Sequence, residues 1–301
     1  MDAAERATNA ILRRTEAQID EIYGAALQQA VKNHASFFQK IAAIDSGKIK
    51  PPAVYDTPEK VLKWRQGYTK ELLRREKIVD GIIAELRQAG VDVAPIIKSA
   101  GVDNYMVNRS YTAAKLTREF NKIKQSPIDI GQSKINLTFA QYDKRQIEIL
   151  LQDTQSPFSK IAYKNLGANA VITRRLRSEM AQATLLGESQ SKIIKRIRAV
   201  TGQSQYQARR VAQTERTRLQ SQARSDTLQE AADLGVKVTK TWSARMVNTR
   251  DTHAALDGVT IPQDEAFHLI DGDSLMYPGD PNGRAENVIS CHCVLIPGVA
   301  T

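Results

Sequence analysis

The chain has 301 residues, of which 42% are hydrophobic and 25% charged, a composition that excludes a disordered chain and leaves room for two or three domains. No apolar run reaches the roughly 18 residues of a transmembrane helix, and the N-terminus has no apolar core of the kind that marks a signal peptide. We therefore expect neither membrane insertion nor export. Two cysteines are too few for a disulfide framework, which favours a reducing cytoplasm.

The net charge of +10 is unevenly distributed. Residues 241–301 carry three basic and eight acidic residues, a net charge of −5, so the rest of the chain carries +15. Residues 159–219 hold 13 Lys or Arg against three Glu. This asymmetry favours contact with double-stranded DNA through its phosphates, without sequence preference; the alternative is a solvated helical surface. The candidate DNA-binding residues are Arg174, Arg175, Arg177, Lys192, Lys195, Arg196, Arg198, Arg209 and Arg210.

The N-terminal part of the chain has helical spacing interrupted by short breaks. Residues 3–45 are predicted to be helical, and residues 46–60 form a linker that contains Pro51-Pro52. Thr57, followed by Pro58, has the pattern of an N-cap with proline at the first helical position. The helix that follows is predicted to stop near Gly90, before a loop-rich interval over residues 91–104.

Residues 125–138 form a second break, after which two further helices are predicted. The first begins at a Ser189 cap and ends at Gly202, and the second runs from a Ser204 cap to Gly235. The apolar content of the second helix is thin, so we expect it to pack along a narrow seam.

At Gly235 the hydrophobic period changes from helical to alternating. Val236, Val238 and Trp242 alternate with polar residues and predict a strand, and residues 287–296 predict another near the C-terminus. Turn-forming residues fill the interval between them. The predicted fold is mainly α, an elongated helical body with a small α+β C-terminal module. We divide it into an N-terminal helical region, a basic helical region and that module, at residues 1–130, 131–235 and 236–301.

The two cysteines, Cys291 and Cys293, are one residue apart. On a strand they would share one face with Cα atoms about 6.5–7 Å apart, which disfavours a disulfide but lets both sulfurs reach one tetrahedral zinc ion. His292 would point to the opposite face. The candidates for further ligands are His253, His268, Asp251, Asp257, Asp271 and Asp273. The alternative is that both cysteines are buried core residues, on the same face as Ile289 and Leu295.

Two catalytic interpretations are also open. A cysteine with His253 would form a nucleophile–base pair, but no glycine-rich oxyanion turn lies nearby. Arg250 with His253 and the neighbouring aspartates would fit a metal-dependent nuclease or phosphotransfer site. No glycine-rich phosphate-binding motif is present, so nucleotide-driven activity is not supported.

Four stretches together resemble one known family, the Mu F-like phage head morphogenesis proteins, also called minor head proteins. They are TRDTHAALDG (249–258), Phe267, YPGDPNGRAENVISCHC (277–293) and, upstream, RVAQTERTR (210–218). Besides His253 and the two cysteines, the motif residues that match are Trp242, Thr249, Arg250, Leu256, Gly258, Phe267, Pro278 and Asn287.

The resemblance implies a non-enzymatic structural protein in the head interior of a tailed bacteriophage, made in the cytoplasm of the host bacterium. Its implied partners are the portal protein, the scaffold or major capsid protein and double-stranded DNA, with no membrane in the assembled head. It implies roles in head morphogenesis and in the handling or ejection of packaged DNA. We expect zinc, held by His253, Cys291 and Cys293, to pin the C-terminal module, supported by Arg250 and Asp257. The alternative is a phage-delivered effector whose module is a metal-dependent nuclease or similar toxin.

Overall fold

The computed structural model describes residues 1–124, 137–153, 157–246 and 249–300. Helices dominate these residues, and all five strands among them lie C-terminal to residue 237, which confirms the predicted mainly α fold with a small C-terminal α+β module. Among the described residues, no helix combines the length and the apolarity that crossing a membrane requires.

The helices are α1 (Ala3–Asn33), α2 (Ala35–Asp45), α3 (Pro58–Arg75), α4 (Ile78–Lys124), α5 (Lys144–Asp153), α6 (Pro157–Lys164), α7 (Ala170–Leu185), α8 (Gln190–Asp233), α9 (Asp251–Ala254) and α10 (Ala285–Val288). The strands are β1 (Val238–Ser243), β2 (Thr260–Pro262), β3 (Phe267–His268), β4 (Ser274–Leu275) and β5 (Val294–Val299).

The chain forms two compact units, each assembled from separate stretches of sequence. The first unit comprises residues 1–16, 96–163 and 210–301, and the second comprises residues 17–95 and 164–209. Helices α1, α4 and α8 contribute residues to both units. The boundary predicted between residues 130 and 131 lies outside the described residues.

The start of α3 follows the predicted capping pattern. Thr57 has extended backbone angles, its side chain accepts a hydrogen bond from the Lys60 N–H, and Pro58 occupies the first turn. The side-chain oxygen satisfies a backbone donor that has no partner within the helix, while proline supplies the right φ without needing a donor.

Helix α4 continues through the predicted stop at Gly90 and through Pro95, so the loop expected at residues 91–104 is wrong. Two of the residues assigned to that loop, Val93 and Ile97, lie four apart and are almost fully buried, as on one face of a helix. Gly90 serves packing instead: a Cβ atom there would lie 2.5 Å from the carbonyl oxygen of Leu166. Tertiary contact therefore overrides the local preference of glycine for a helix end.

Helix α8 likewise passes through Gly202, where the sequence predicted an end and a second cap. Val200, Ser204 and Ala208 follow one another at four-residue spacing and are all fully buried, so one continuous face passes beneath Gly202. Gly202 itself is exposed and its Cα faces open space.

The strands of the first unit form a three-stranded antiparallel sheet of order β2-β1-β5 and a separate β3–β4 hairpin. The predicted strand after Gly235 is confirmed as β1, whose alternate residues Val238, Lys240 and Trp242 are buried. Trp242 is fully buried and pairs with Leu295 of β5. Its hydrophobic cluster joins the module to α4 and α8 through residues that include Leu116, Phe120, Leu228, Phe267, Leu275, Cys291 and Cys293.

The strand predicted over residues 287–296 is only partly correct. Its first residues belong to α10, and β5 begins at Val294, after both cysteines. Ser290 has a left-handed φ of 56°, which no strand tolerates, so the chain turns immediately before Cys291. The geometric argument from a regular strand therefore does not apply to Cys291 and Cys293.

The packing of Gly90 leads to a stability prediction with an internal control. Replacing Gly90 with alanine drives a methyl group into the Leu166 backbone and should cost about 1–3 kcal/mol in the free energy of unfolding. Gly67 lies inside α3, where a Cβ atom would meet nothing within 4 Å, so Gly67→Ala should stabilise the protein by about 0.5–1 kcal/mol. Urea unfolding of both variants measures the difference. If Gly90→Ala instead stabilises the protein, the Leu166 backbone can move away from the added methyl group at little cost.

Candidate metal centre

A short helix and a turn bring together three side chains of the first unit that could hold a metal ion. We call His253, Cys291 and Cys293 the metal-ligating group. The short helix α9 carries His253, which is 1% exposed, and the turn after α10 carries Cys291 and Cys293, which are 1% and 2% exposed. The helix begins directly after Arg250, whose extended backbone angles turn the chain into it. Although His253 is about forty residues from the cysteines, the fold places all three in one buried site.

The two nitrogen–sulfur distances match those of a tetrahedral site. The Nδ1 atom of His253 lies 3.5 Å from the Sγ atom of Cys291 and 3.5 Å from that of Cys293. With Zn–S near 2.3 Å and Zn–N near 2.0–2.1 Å, a tetrahedral angle requires about 3.6 Å between nitrogen and sulfur. All three ligand atoms lie within 4.8 Å of one another, and no fourth His, Cys, Asp or Glu of the described residues joins the group.

Aromatic rings enclose the imidazole of His253. The His253 ring and the Trp242 ring form a T-shaped pair at 5.2 Å between centroids, and Phe267 forms a second such pair with Trp242 at the same distance. The Nε2 atom of His253 is buried and has no hydrogen-bond partner among the described residues. Because Nδ1 faces the two sulfurs, the imidazole is oriented for ligation through Nδ1.

The two thiols titrate as a pair. A hydrogen bond from Cys291, followed by contact with His253, lowers the pKa of Cys293 below its usual value in spite of its burial. The same hydrogen bond to Cys293, together with burial, raises the pKa of Cys291 well above its usual value. The pair therefore readily loses one proton and retains the second, and a bound cation would favour loss of the second.

Helix α8 fixes the backbone of the cysteine turn. The hydroxyl of Thr217 donates to the carbonyl oxygen of Cys291 at 2.5 Å, and the amide of Gln213 donates to the same oxygen at 3.2 Å. Thr214 accepts a hydrogen bond from the Ser290 N–H at 3.0 Å. These three side chains satisfy polar groups of a turn that would otherwise be buried without partners.

Arg250 and Asp257 hold neighbouring backbone and lie outside the ligand group. The guanidinium of Arg250 donates to the carbonyl oxygen of Ile289, two residues before Cys291. The Asp257 carboxylate accepts from the Ala244 N–H at 2.8 Å, which ties the end of β1 to the turn after α9. Both contacts support the segments that carry the three ligands.

The other candidate ligands lie elsewhere. His268 is exposed on the hairpin and hydrogen-bonds Ser274, and His292 is exposed between the cysteines. Asp271 and Asp273 bind the amide of Asn287 at 3.0 and 2.9 Å, and Asp251 is exposed. Of the ligands proposed from the sequence, the structure brings together His253, Cys291 and Cys293.

Comparison with known proteins gives a family for this part of the chain. Residues 174–296 match the family described as Phage Mu protein F like protein. This match confirms the resemblance inferred from the motifs. We refer to these residues as the Mu F-like segment. It contains most of α7, all of α8 and nearly all of the α+β module.

Three curated relatives match over parts of their length. Minor head protein GP7 of Bacillus phage SPP1 is 35% identical over 118 residues, which cover 39% of this chain and 38% of the relative. A protein of Enterococcus faecalis named NAD(+)–arginine ADP-ribosyltransferase EFV is 37% identical over 111 residues, 36% of this chain and 22% of the relative. The uncharacterized protein YqbB of Bacillus subtilis is 31% identical over 93 residues, 31% of this chain and 30% of the relative. Each match thus spans well under half of the relative, and no solved structure matches the chain.

The remaining motif residues of the Mu F-like segment build its core and turns. Leu256, Phe267 and Pro278 are buried, and the side-chain oxygen of Thr249 is buried with no partner among the described residues. Gly258 has a left-handed φ of 77°, and its N–H donates to the carbonyl oxygen of Trp242. These residues shape the fold around the metal-ligating group.

Two buried polar residues of the Mu F-like segment were missed by the sequence analysis. Lys240 of β1 is fully buried, its ammonium lies 5.6 Å from the centre of the Phe267 ring, and burial lowers its pKa to about 8. Asp280 is 2% exposed and accepts hydrogen bonds from the Met276 and Asn282 N–H groups. The position of Lys240, in phase with Val238 and Trp242, was the one signal that could have revealed its burial.

The nine candidate DNA-binding residues fall into two groups. Arg196 pairs with Glu179 and Glu188, and Arg209 pairs with Asp20. The other seven are exposed, of which Arg175 lies 3.9 Å from Glu179. Arg216 and Arg218, which contribute to the basic charge of the same stretch, are 5% and 2% exposed and take part in internal hydrogen bonds.

The hydrogen bonds of Asn287 lead to a prediction that depends on pH. Asn287→Ala removes the donor shared by Asp271 and Asp273 and should cost about 2 kcal/mol near neutral pH. The Asn287 hydrogen bond lowers the pKa of Asp271 below its usual 3.8, and hydrogen bonds outweigh burial to lower that of Asp273. A carboxyl group whose pKa is lower in the folded than in the unfolded state stabilises the fold above the unfolded pKa, and this stabilisation is lost as the group is protonated. The loss of unfolding free energy caused by Asn287→Ala should therefore shrink as pH falls below about 4.

Urea unfolding of the wild type and the variant near neutral pH and at about pH 3.5 measures this difference. Asn282→Ala is the control, because the Asn282 side chain is exposed and its contribution to the turn is made by the backbone N–H. An Asn287→Ala effect that is independent of pH would mean that the two carboxylates are not the partners that matter.

Proposed function

We propose that this protein is a minor head protein of a tailed bacteriophage, a non-enzymatic component of the head interior that associates with the portal vertex. It would act in head morphogenesis and in the handling or ejection of packaged DNA. The observation that carries the proposal is the family match over residues 174–296, which include α8 and nearly all of the α+β module, together with the 35% identity over 118 residues to a minor head protein.

The geometry of the module supports a structural role. Its motif residues hold turns and fill the core, and its one candidate metal group in the described residues is 1–2% exposed. Such burial leaves no path for a macromolecular substrate to reach the metal-ligating atoms. A module of this kind suits an assembly component better than a hydrolytic enzyme.

The alternative, a metal-dependent nuclease module, has weaker support. A nuclease centre needs an open metal position beside the substrate and usually oxygen ligands. Here three of the four candidate aspartates, Asp257, Asp271 and Asp273, hold the end of β1 and the Asn287 turn, and Asp251 is outside the metal-ligating group. The relative named as an ADP-ribosyltransferase shares with this chain only 22% of its length, so the match bears on the shared segment alone.

Zinc is the ion that best fits the ligand set, and its role in this proposal is structural. Two thiolates and one imidazole nitrogen suit zinc, which would link α9 to the turn before β5 and leave its fourth position to a small ligand. The 3.5 Å separations between Nδ1 of His253 and both sulfurs, and the burial of all three side chains, support this assignment. His253 would bind as the neutral imidazole, and both cysteines as thiolates.

The zinc assignment predicts about one zinc ion per chain in protein purified without a histidine tag, measured by elemental analysis. His253→Ala should abolish stoichiometric binding and lower the melting temperature, as should treatment of the wild type with a strong chelator. His292→Ala and His268→Ala are matched controls, because both side chains are exposed and outside the group. If the purified protein contains no metal and the Cys291→Ala/Cys293→Ala variant is equally stable, the zinc assignment is wrong and the two cysteines are ordinary buried core residues.

Direct contact with DNA is a further part of the proposal, and the exposed cations of α8 support it. Lys192, Lys195 and Arg198 are exposed and form no ion pair with the described residues. Binding to a DNA duplex should therefore lack sequence preference and weaken at least about tenfold from low to physiological salt. Lys192→Glu/Lys195→Glu should weaken it further, while Lys237→Glu, an exposed lysine beside β1, should have little effect. Binding that is insensitive to salt would remove DNA from the proposal.

Location in the head tests the central proposal. When the protein is produced with the portal, scaffold and major capsid proteins of its phage, it should copurify with portal rings and procapsids, and omission of the portal should remove it from procapsids. His292→Ala, an exposed substitution, should copurify like the wild type. Incorporation that does not depend on the portal would overturn the portal association, and cleavage of DNA or RNA that His253→Ala abolishes would overturn the non-enzymatic role.

A further inference from the structure

A groove of about 620 Å³ lies in the second unit. One wall is formed by the end of α3 and the start of α4, and the other by α7. It is remote in sequence from the metal-ligating group, and only its α7 wall overlaps the Mu F-like segment. Most of its lining is apolar, and we call its apolar residues, which include Leu73, Val79, Met180 and Leu185, the floor. Leu185 lines this apolar surface and is 65% exposed, so a bound partner could cover it.

The rim of the groove is basic. Lys70, Arg74, Lys77 and Arg177 line it, against one acidic residue, Asp80. All four cations are exposed, and Arg74 also pairs with Glu71 at 2.8 Å on the surface. Long basic side chains commonly lay their aliphatic stems along apolar surface and present their charge at its edge.

The backbone at the rim is also unusual. Lys77, between α3 and α4, has a left-handed φ of 48°, a conformation that glycine adopts without strain but lysine does not. The conformation separates α3 from α4 at a residue that lines the groove, and it keeps a cation at a position where glycine would be the usual choice.

The combination of an apolar floor and a basic rim distinguishes between two classes of ligand. A DNA backbone offers phosphates to the rim but nothing that would cover Leu185 and its neighbours. An amphipathic helix offers apolar side chains at i, i+3, i+4 and i+7 for the floor, and acidic residues beside them would meet the rim. Charge complementarity across such an interface would steer association and select for acidic partners.

We propose that this groove is a docking site for an acidic amphipathic helix of a partner protein. Apolar side chains of the helix fill the floor between α3 and α7, and its carboxylates pair with Lys70, Arg74, Lys77 and Arg177. The site provides the second unit with a protein-binding surface that is separate from the α+β module.

The test uses the full chain and a synthetic, fluorescently labelled helical peptide of about 18 residues, with leucine at i, i+3, i+4 and i+7 and glutamate on the flanks. Fluorescence anisotropy measures its Kd, in comparison with a peptide in which lysine replaces glutamate and with a DNA duplex. Lys70→Glu/Arg177→Glu tests the rim, and Leu185→Asp tests the floor. Lys63→Glu is the matched control, an exposed lysine of α3 that does not line the groove. All these positions are exposed, so circular dichroism should show unchanged helix content.

We expect the acidic peptide to bind, the rim and floor variants each to weaken it about tenfold or more, and the control variant to change Kd less than about twofold. Part of the binding should survive salt that abolishes binding of the duplex, because the floor contact is not electrostatic. Equal binding of the basic peptide, or no effect of the groove variants, would overturn the proposal. Displacement of the peptide by the duplex, with the rim variant weakening duplex binding more than peptide binding, would reassign the groove to nucleic acid.

Discussion

The arrangement of the Mu F-like segment depends on the hydrogen bonds between α8 and the turn at Ser290–Cys291. Gln213 and Thr217 lie one helical turn apart and donate to one carbonyl oxygen, and Thr214 beside them accepts the N–H of the preceding residue. A buried carbonyl or N–H without a partner would cost about 1–3 kcal/mol, so this turn has its conformation only while the helix supports it. The position of both sulfurs relative to His253, and the start of β5, follow from this contact.

Features that depend on neighbouring residues could be predicted from the sequence, and features that depend on distant residues could not. The Thr57 cap and the alternation of β1 are local, and the structure has both. Gly90 and Gly202 carry the same local signal for a helix end, yet both lie inside helices because buried faces continue on either side of them. At Gly90 the reason is a close approach by Leu166, a residue far away in the sequence. No local pattern contains that information.

The metal-ligating group shows the same division. Chemistry named the two cysteines and a set of candidate partners, because few residue types bind zinc, and the family resemblance selected His253 among those partners. The geometric reasoning was wrong, since a regular strand does not carry the cysteines, although His292 is exposed and both thiols are buried as that reasoning required. The roles of Asn287 and Lys240 could not be predicted, because their partners follow from the folding of the loops between β2 and α10.

The charge of the chain is a measure of its composition and a poor guide to its surface. In the stretch with the highest density of cations, Arg216 and Arg218 are buried in internal hydrogen bonds, and Arg196 and Arg209 are held by acidic side chains. Two sets of exposed cations remain distinct: those of α8, and the four that line the groove beside α7. The first set stands on a polar helix face, whereas the second surrounds apolar side chains. A basic surface with an apolar centre gains more binding free energy from an amphipathic protein helix than from a phosphate backbone. Cations that contribute to the same net charge can therefore suit two different kinds of partner.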